Sequence, residues 1–162
     1  MYSVGGYYKT GQTFAPGGAL PGAGLYLQGG KLYGTTSGGG ARGYGGTIFE
    51  IGGPMALYTF NGGAGGSNPA SSLIGDGKGN LYGTTSAGGS GSLGAGDGVV
   101  FMFDTATSQV TILHTFTGSD GSTPMAALAR DSAGDLYGTT SLGGAYGHGT
   151  VVQTGSVIPQ AG

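Results

Sequence analysis

Short blocks of apolar residues, four to eight long and rich in Val, Ile, Thr, Tyr and Phe, alternate along this chain with runs of Gly, Ser and Asp. Blocks of that length and composition, bounded by turn formers, predict β-strands. The run 81–85, Leu-Tyr-Gly-Thr-Thr, sets Leu81, Gly83 and Thr85 on one face and Tyr82 and Thr84 on the other, so both faces suit contact with a neighbouring sheet. Further strands are expected at 46–51, 98–103 and 149–153, and again at 55–60 and 109–116. Residues 77–80 (Gly-Lys-Gly-Asn) and 132–135 (Ser-Ala-Gly-Asp) carry turn chemistry between one run and the next. No stretch free of Gly and Pro repeats its apolar residues at the helical period, so helix should be nearly absent.

The pattern is itself repeated. Leu-Tyr-Gly-Thr-Thr occurs three times, at 32–36, 81–85 and 136–140, with spacings of 49 and 55 residues, each copy followed by Ser. Upstream of the second and third copies stand Pro69 and Leu73, then Pro124 and Leu128, each Leu eight positions before its pentapeptide. Pro16 and Leu20 have the same mutual spacing of four, which places the leading strands near Leu20, Leu73 and Leu128 and gives the first unit about four extra residues. The units then run over 16–60, 69–116 and 124–158 of a single repeat domain, 1–162. A glycine in mid-strand is locally unfavourable unless another backbone or a ring comes close, and the expectation here is that adjacent sheets touch at it.

Four antiparallel strands in roughly 50 residues make a unit the size of a propeller blade. The fold class expected is all-β, a propeller-like array of about three four-stranded antiparallel blades, one fewer than the smallest usual ring. Residues 1–15, which include Tyr7 and Tyr8, are expected to supply a closing strand, and two copies would give six blades. A fragment of a longer reading frame and an open Gly-rich solenoid are the alternatives.

The run Gly-x-Leu-Tyr-Gly-Thr-Thr-Ser-x-Gly-Gly, followed by Gly-Thr-Val-Phe and a Leu-Tyr-Thr-Phe type strand, resembles the bacterial GloVer tandem repeat over about residues 16–153. More loosely, the Gly-Asn-Leu-Tyr and Val-Phe-x-Phe-Asp patterns are similar to NHL-type propeller blades. The first resemblance implies an extracellular or cell-surface protein of uncertain biochemical role and supplies no catalytic residues.

Composition narrows the partners. Forty-two glycines, about four times the usual frequency, would suit disorder, but they fall mostly between the apolar blocks. Five basic and seven acidic residues, a net charge of -2, leave no footprint for nucleic acid. With no cysteine there is neither a disulfide nor a thiolate site. Residues 1–6 show no signal-peptide pattern, and no segment is apolar for long enough to span a membrane as a helix.

Nothing forms a catalytic signature. No His cluster offers a metal site, no Ser has an identifiable His and Asp around it, and no cofactor motif occurs. His114 reads as a half-exposed strand histidine, and Asp76, Asp97, Asp104, Asp120, Asp131 and Asp135 as turn caps. The Gly-rich loops after each pentapeptide differ most, and corresponding loops gather at one end of a propeller. Arg42 and Tyr44 in the first loop, with Tyr146 and His148 in the third, are the candidate ligand-binding residues, a polar and aromatic rim suited to a sugar or a peptide. The expected function is a non-enzymatic module presenting these loops to a carbohydrate or protein ligand and self-associating as a homodimer. A propeller-type lyase or hydrolase with His148 as general base, and a self-assembling structural protein, are the alternatives.

Overall fold

A computed structural model describes residues 17–40, 45–54, 56–89 and 96–154. Thirteen strands follow one another there, with a single 3-10 turn at Gly63–Gly65. The first unit comprises β1 (Gly18–Ala19), β2 (Tyr26–Gln28), β3 (Lys31–Thr36), β4 (Gly38–Gly39), β5 (Thr47–Glu50) and β6 (Tyr58–Thr59). The second comprises β7 (Ile74–Gly75), β8 (Asn80–Thr85), β9 (Val99–Asp104) and β10 (Gln109–Thr115). The third comprises β11 (Ala129–Arg130), β12 (Leu136–Thr139) and β13 (Val151–Thr154).

Each unit is an antiparallel meander: β2-β3-β5-β6, β7-β8-β9-β10 and β11-β12-β13, with a two-stranded β1-β4 ribbon beside the first. The protein is therefore all-β and built of antiparallel sheets, four-stranded in the first two units. Every pentapeptide lies on the second strand of its unit's meander, Thr140 of the third copy falling just past the end of β12. The expected closing strand at 1–15 and the end of the third unit, 155–158, lie outside the described residues.

The leading strand of the first unit does not start near Leu20. It is β2, and Leu25 is the counterpart of Leu73 and Leu128: a Cβ on Gly34, Gly83 or Gly138 would meet Cδ2 of Leu25, Leu73 or Leu128 at 2.8, 3.0 and 2.8 Å. Pro21, not Pro16, then aligns with Pro69 and Pro124, and the spacing of four from Pro to Leu holds in all three units. The residue before each proline confirms the phase, because Leu20, Asn68 and Thr123 are left-handed, with φ of 60, 56 and 56°. The first unit is in fact one residue shorter in its hairpin, where Gly29 and Gly30, both at positive φ, make the tightest kind of β-turn.

The mid-strand glycine is also explained differently from the expectation. Gly34 pairs with Phe49 and Gly83 with Phe101 on the neighbouring strand of the same sheet. A Cβ there would meet the ring Cζ at 2.5 and 2.7 Å. The glycine leaves room for a cross-strand ring and a leucine of its own unit, not for the next sheet.

Successive sheets pack face to face. Tyr33, Ile48 and Phe60 of the first unit bury against Leu73, Leu81, Phe101 and Phe103 of the second. Tyr82, Val100 and Phe116 of the second bury against Leu128 and Leu136 of the third. Phe60 and Phe101 meet across the first seam with ring centroids 5.1 Å apart. Each such fully buried side chain contributes about 1.5–3 kcal/mol, so the core of this protein lies between its units.

Candidate functional site

Each pentapeptide ends in a threonine that fastens the base of the loop following it. Thr36 Oγ1 accepts the Thr47 N–H at 3.1 Å and donates to the Gly38 carbonyl at 2.9 Å. Thr85 does the same with the Val99 N–H (3.3 Å) and the Ala87 carbonyl (3.0 Å). Thr140 repeats it with the Thr150 N–H (2.9 Å) and the Leu142 carbonyl (3.0 Å). The next residue, Ser37, Ser86 or Ser141, donates both its N–H and its hydroxyl to the carbonyl of Leu20, Asn68 or Thr123, at 2.9–3.3 Å. These hydroxyls are structural, as their recurrence implies.

A frame of three glycines follows. The first and second of each unit, Gly39 and Gly40, Gly88 and Gly89, Gly143 and Gly144, all have positive φ, as do the third, Gly46, Gly98 and Gly149. The N–H of the third donates to the carbonyl of the first at 3.2, 3.0 and 3.0 Å. The N–H of the second donates to Gly17, Gly63 or Gly118 at 3.1, 2.6 and 2.8 Å. Only glycine adopts this succession of left-handed conformations without strain. Between the second and third glycines the loops differ in length, holding five, eight and four residues.

Tyr146 and His148 lie on the third of these loops, and both are exposed, Tyr146 to 88 %. Gly147 N–H donates to Gly144 at 3.1 Å and Gly143 bridges to His148, so the loop carrying the tyrosine is short and anchored at both ends. Arg42 and Tyr44 lie outside the described residues. The expected rim is therefore described for two of its four members, and these two stand on one loop.

The position of His148 in the repeat is informative. It precedes the third frame glycine, as Gly45 and Asp97 do in the first two units. The carbonyls of Gly45 and Asp97 accept the N–H of Asn68 and Thr123, from the next unit, at 2.9 and 2.8 Å. The last residues of the first two loops, Gly45 and Asp97, thus lie at the seams between units. No hydrogen bond orients the His148 ring among the described residues.

The remaining polar clusters hold turns. His114 Nε2 lies 2.9 Å from Asp120 Oδ2, and its ring meets Phe116 edge-on at 4.8 Å. Burial alone would push the Asp120 carboxyl up, but donors on Thr117 and the His114 contact hold it below the usual carboxylate range. Asp76 caps its turn through the N–H groups of Lys78 (2.7 Å) and Asn80 (3.1 Å). Its carboxyl is pushed up by partial burial, yet the hydrogen bonds from Asn80 and Lys78 and the nearby Arg130 charge outweigh that and leave it low. Asp131 repeats the cap with Ala133, Gly134 and Asp135, each at 2.9 Å, and accepts the Tyr137 hydroxyl at 3.1 Å. Arg130 lies 6.0 Å from the centre of the Tyr82 ring, joining the second and third units. This last contact was hidden in the sequence, where Arg130 and Tyr82 are 48 residues apart.

Among the described residues no three His, Asp or Glu side chains gather where a metal ion could sit, and no helix is long and apolar enough to cross a membrane. A family model, the Gloeobacter/Verrucomicrobia repeat, matches residues 2–154. No curated protein and no solved structure matches the chain.

Proposed function

The chain belongs to the Gloeobacter/Verrucomicrobia repeat family, and from that premise we propose a non-enzymatic module that presents its glycine-framed loops to a carbohydrate or protein ligand. The observation that carries this reading is Tyr146, 88 % exposed on a loop anchored at both ends. An exposed tyrosine held on a short, tied loop offers an amphipathic surface to a sugar or a peptide at little cost in ordering. A glycan array probed with the wild type and with the Tyr44→Ala, Tyr146→Ala double variant tests it. Binding weakened at least about tenfold in the variant is the expected outcome; an array and a pull-down screen that both stay blank for both proteins overturn the reading.

The reading includes the arrangement of the sheets as propeller blades, supported by their face-to-face packing and by the size of each meander. Three blades are too few for a ring, and two copies would supply six. It also includes a location at or outside the cell surface, as the family resemblance implies, which protease accessibility on intact cells tests.

An enzymatic role for His148 finds less support. A general base is ordinarily oriented by a third group, and the His148 ring has no such partner among the described residues.

A further inference from the structure

The two internal seams define which surface of a unit fits which. One face of each unit, here the forward face, carries Ile48 in the first unit and Val100 in the second, both 0 % exposed. Strand register makes Val151 their equivalent, since Ile48, Val100 and Val151 pair with Thr35, Thr84 and Thr139. Val151 is 81 % exposed, and Thr139 is exposed where Thr35 and Thr84 are 2 % exposed. The opposite, rear face carries Leu73 and Leu81 in the second unit and Leu128 and Leu136 in the third, all buried. In the first unit the same positions are Leu25, 49 % exposed, and Leu32, 37 % exposed, with Leu27 beside them at 63 %. Leu27 occupies the place of Arg130, which covers Tyr82, and Tyr137 occupies the place of Tyr82.

We infer that the forward face of the third unit docks onto the rear face of the first unit of a second copy, reproducing the internal seams. This deepens the self-association in the reading above, whose six blades it would join, and does not depend on what the loops bind. Val151 on the forward face of the third unit and Leu25, Leu27 and Leu32 on the rear face of the first are exposed where the two seams bury their equivalents, while Phe49, the equivalent of Phe101, is 3 % exposed within its own unit. The fit is to a second copy because each face already has its complement in the same chain. The backbone chemistry agrees. Carbonyls of Gly45 and Asp97 take an N–H from the following unit, and Pro69 and Pro124 lie over Gly46 and Gly98 at 2.6 and 2.8 Å from a Cβ built there. The carbonyl of His148 and the surface of Gly149 are the third pair of this series, and Leu20 and Pro21 are their complement on the first unit.

Such a contact is heterologous, joining unlike faces, and it gives a closed pair where its rotation closes and an open filament where it does not; the six-blade reading takes the closed pair. Native mass spectrometry and light scattering test it with Val151→Asp, which blocks the forward face, and Leu27→Asp, which blocks the rear face. Both side chains are exposed in the single chain, so neither change should unfold it, and circular dichroism checks that. The wild type is expected at twice 15.6 kDa. Each variant alone is expected to dissociate, with a dissociation constant raised at least about tenfold by the buried charge, and their equimolar mixture to recover a mixed pair through the one intact seam. A monomeric wild type overturns both this inference and the six-blade reading. A wild-type pair that only one variant breaks, or a mixture that stays dissociated, overturns the face-to-face assignment alone, and loop binding on the glycan array is read independently.

Discussion

Gly83 and Gly98 are both glycines with no room for a side chain, yet their neighbours differ in kind. A methyl on Gly83 would meet the tips of Phe101 and Leu73 at 2.7 and 3.0 Å, side chains that can shift. A methyl on Gly98 would meet the Thr85 carbonyl and Pro124, on a backbone at φ 99°. Gly83→Ala should therefore cost about 1–3 kcal/mol, the usual range for overpacking, and Gly98→Ala more, as read from urea denaturation. Acid should expose a second residue-scale effect. Asp76 and Asp131 are held below the usual carboxylate range in the folded chain. The stability they add is present above their unfolded value, about 4, and is lost as pH falls through the folded value. The melting temperature is expected to be flat from neutrality to about pH 4 and to drop below it, and Asp76→Asn to shrink the drop. The caps themselves were legible, because an Asp followed by Gly and Asn or Asp is turn chemistry. The left-handed Leu20 was not: leucine rarely adopts that conformation, and with Pro16 and Pro21 both available the sequence favoured the wrong phase.

At the scale of the element, the hydroxyl clasp decides how firmly a strand end holds its loop. Thr85 is buried and satisfies the Val99 N–H, so Thr85→Val leaves a buried donor without a partner and should cost about 1–3 kcal/mol. Thr140 makes the same bonds where its partner Thr150 is half-buried and open to water. Thr140→Val should cost less, and amide exchange at residues 99 and 150 would report the two losses separately. Strand existence was plain from Val-Val-Phe-Met-Phe and its relatives. What the glycine of each second strand faces was not, since an aromatic ring on a neighbouring strand and a backbone on a neighbouring sheet ask for the same residue. The position of His148 was readable in principle, as the residue before Gly-Thr-Val, but loops of five, eight and four residues mask the correspondence.

For the whole molecule, the core is divided between two seams, and the second unit takes part in both. Phe101→Ala should cost about 3–5 kcal/mol and Val152→Ala, at the half-buried periphery of the second seam, less. If the array behaves as coupled neighbours, the first change should also broaden the unfolding transition, because the outer units lose their common partner. Calorimetry checks both the size and the shape. That units would pack on one another was foreseeable from strands apolar on both faces; which residues would be left uncovered became visible only once register fixed Val151 as the equivalent of Ile48 and Val100.

The glycine frame has an evolutionary consequence. Because the same three anchors accept inserts of five, eight or four residues, mutation can rewrite most of the intervening letters without altering a strand or a clasp, the exception being the residue before the third glycine, where a Cβ on Gly45 would run into the Phe60 carbonyl. Change is channelled into a few interchangeable inserts, and the same scaffold should accept foreign loops grafted between Gly89 and Gly98.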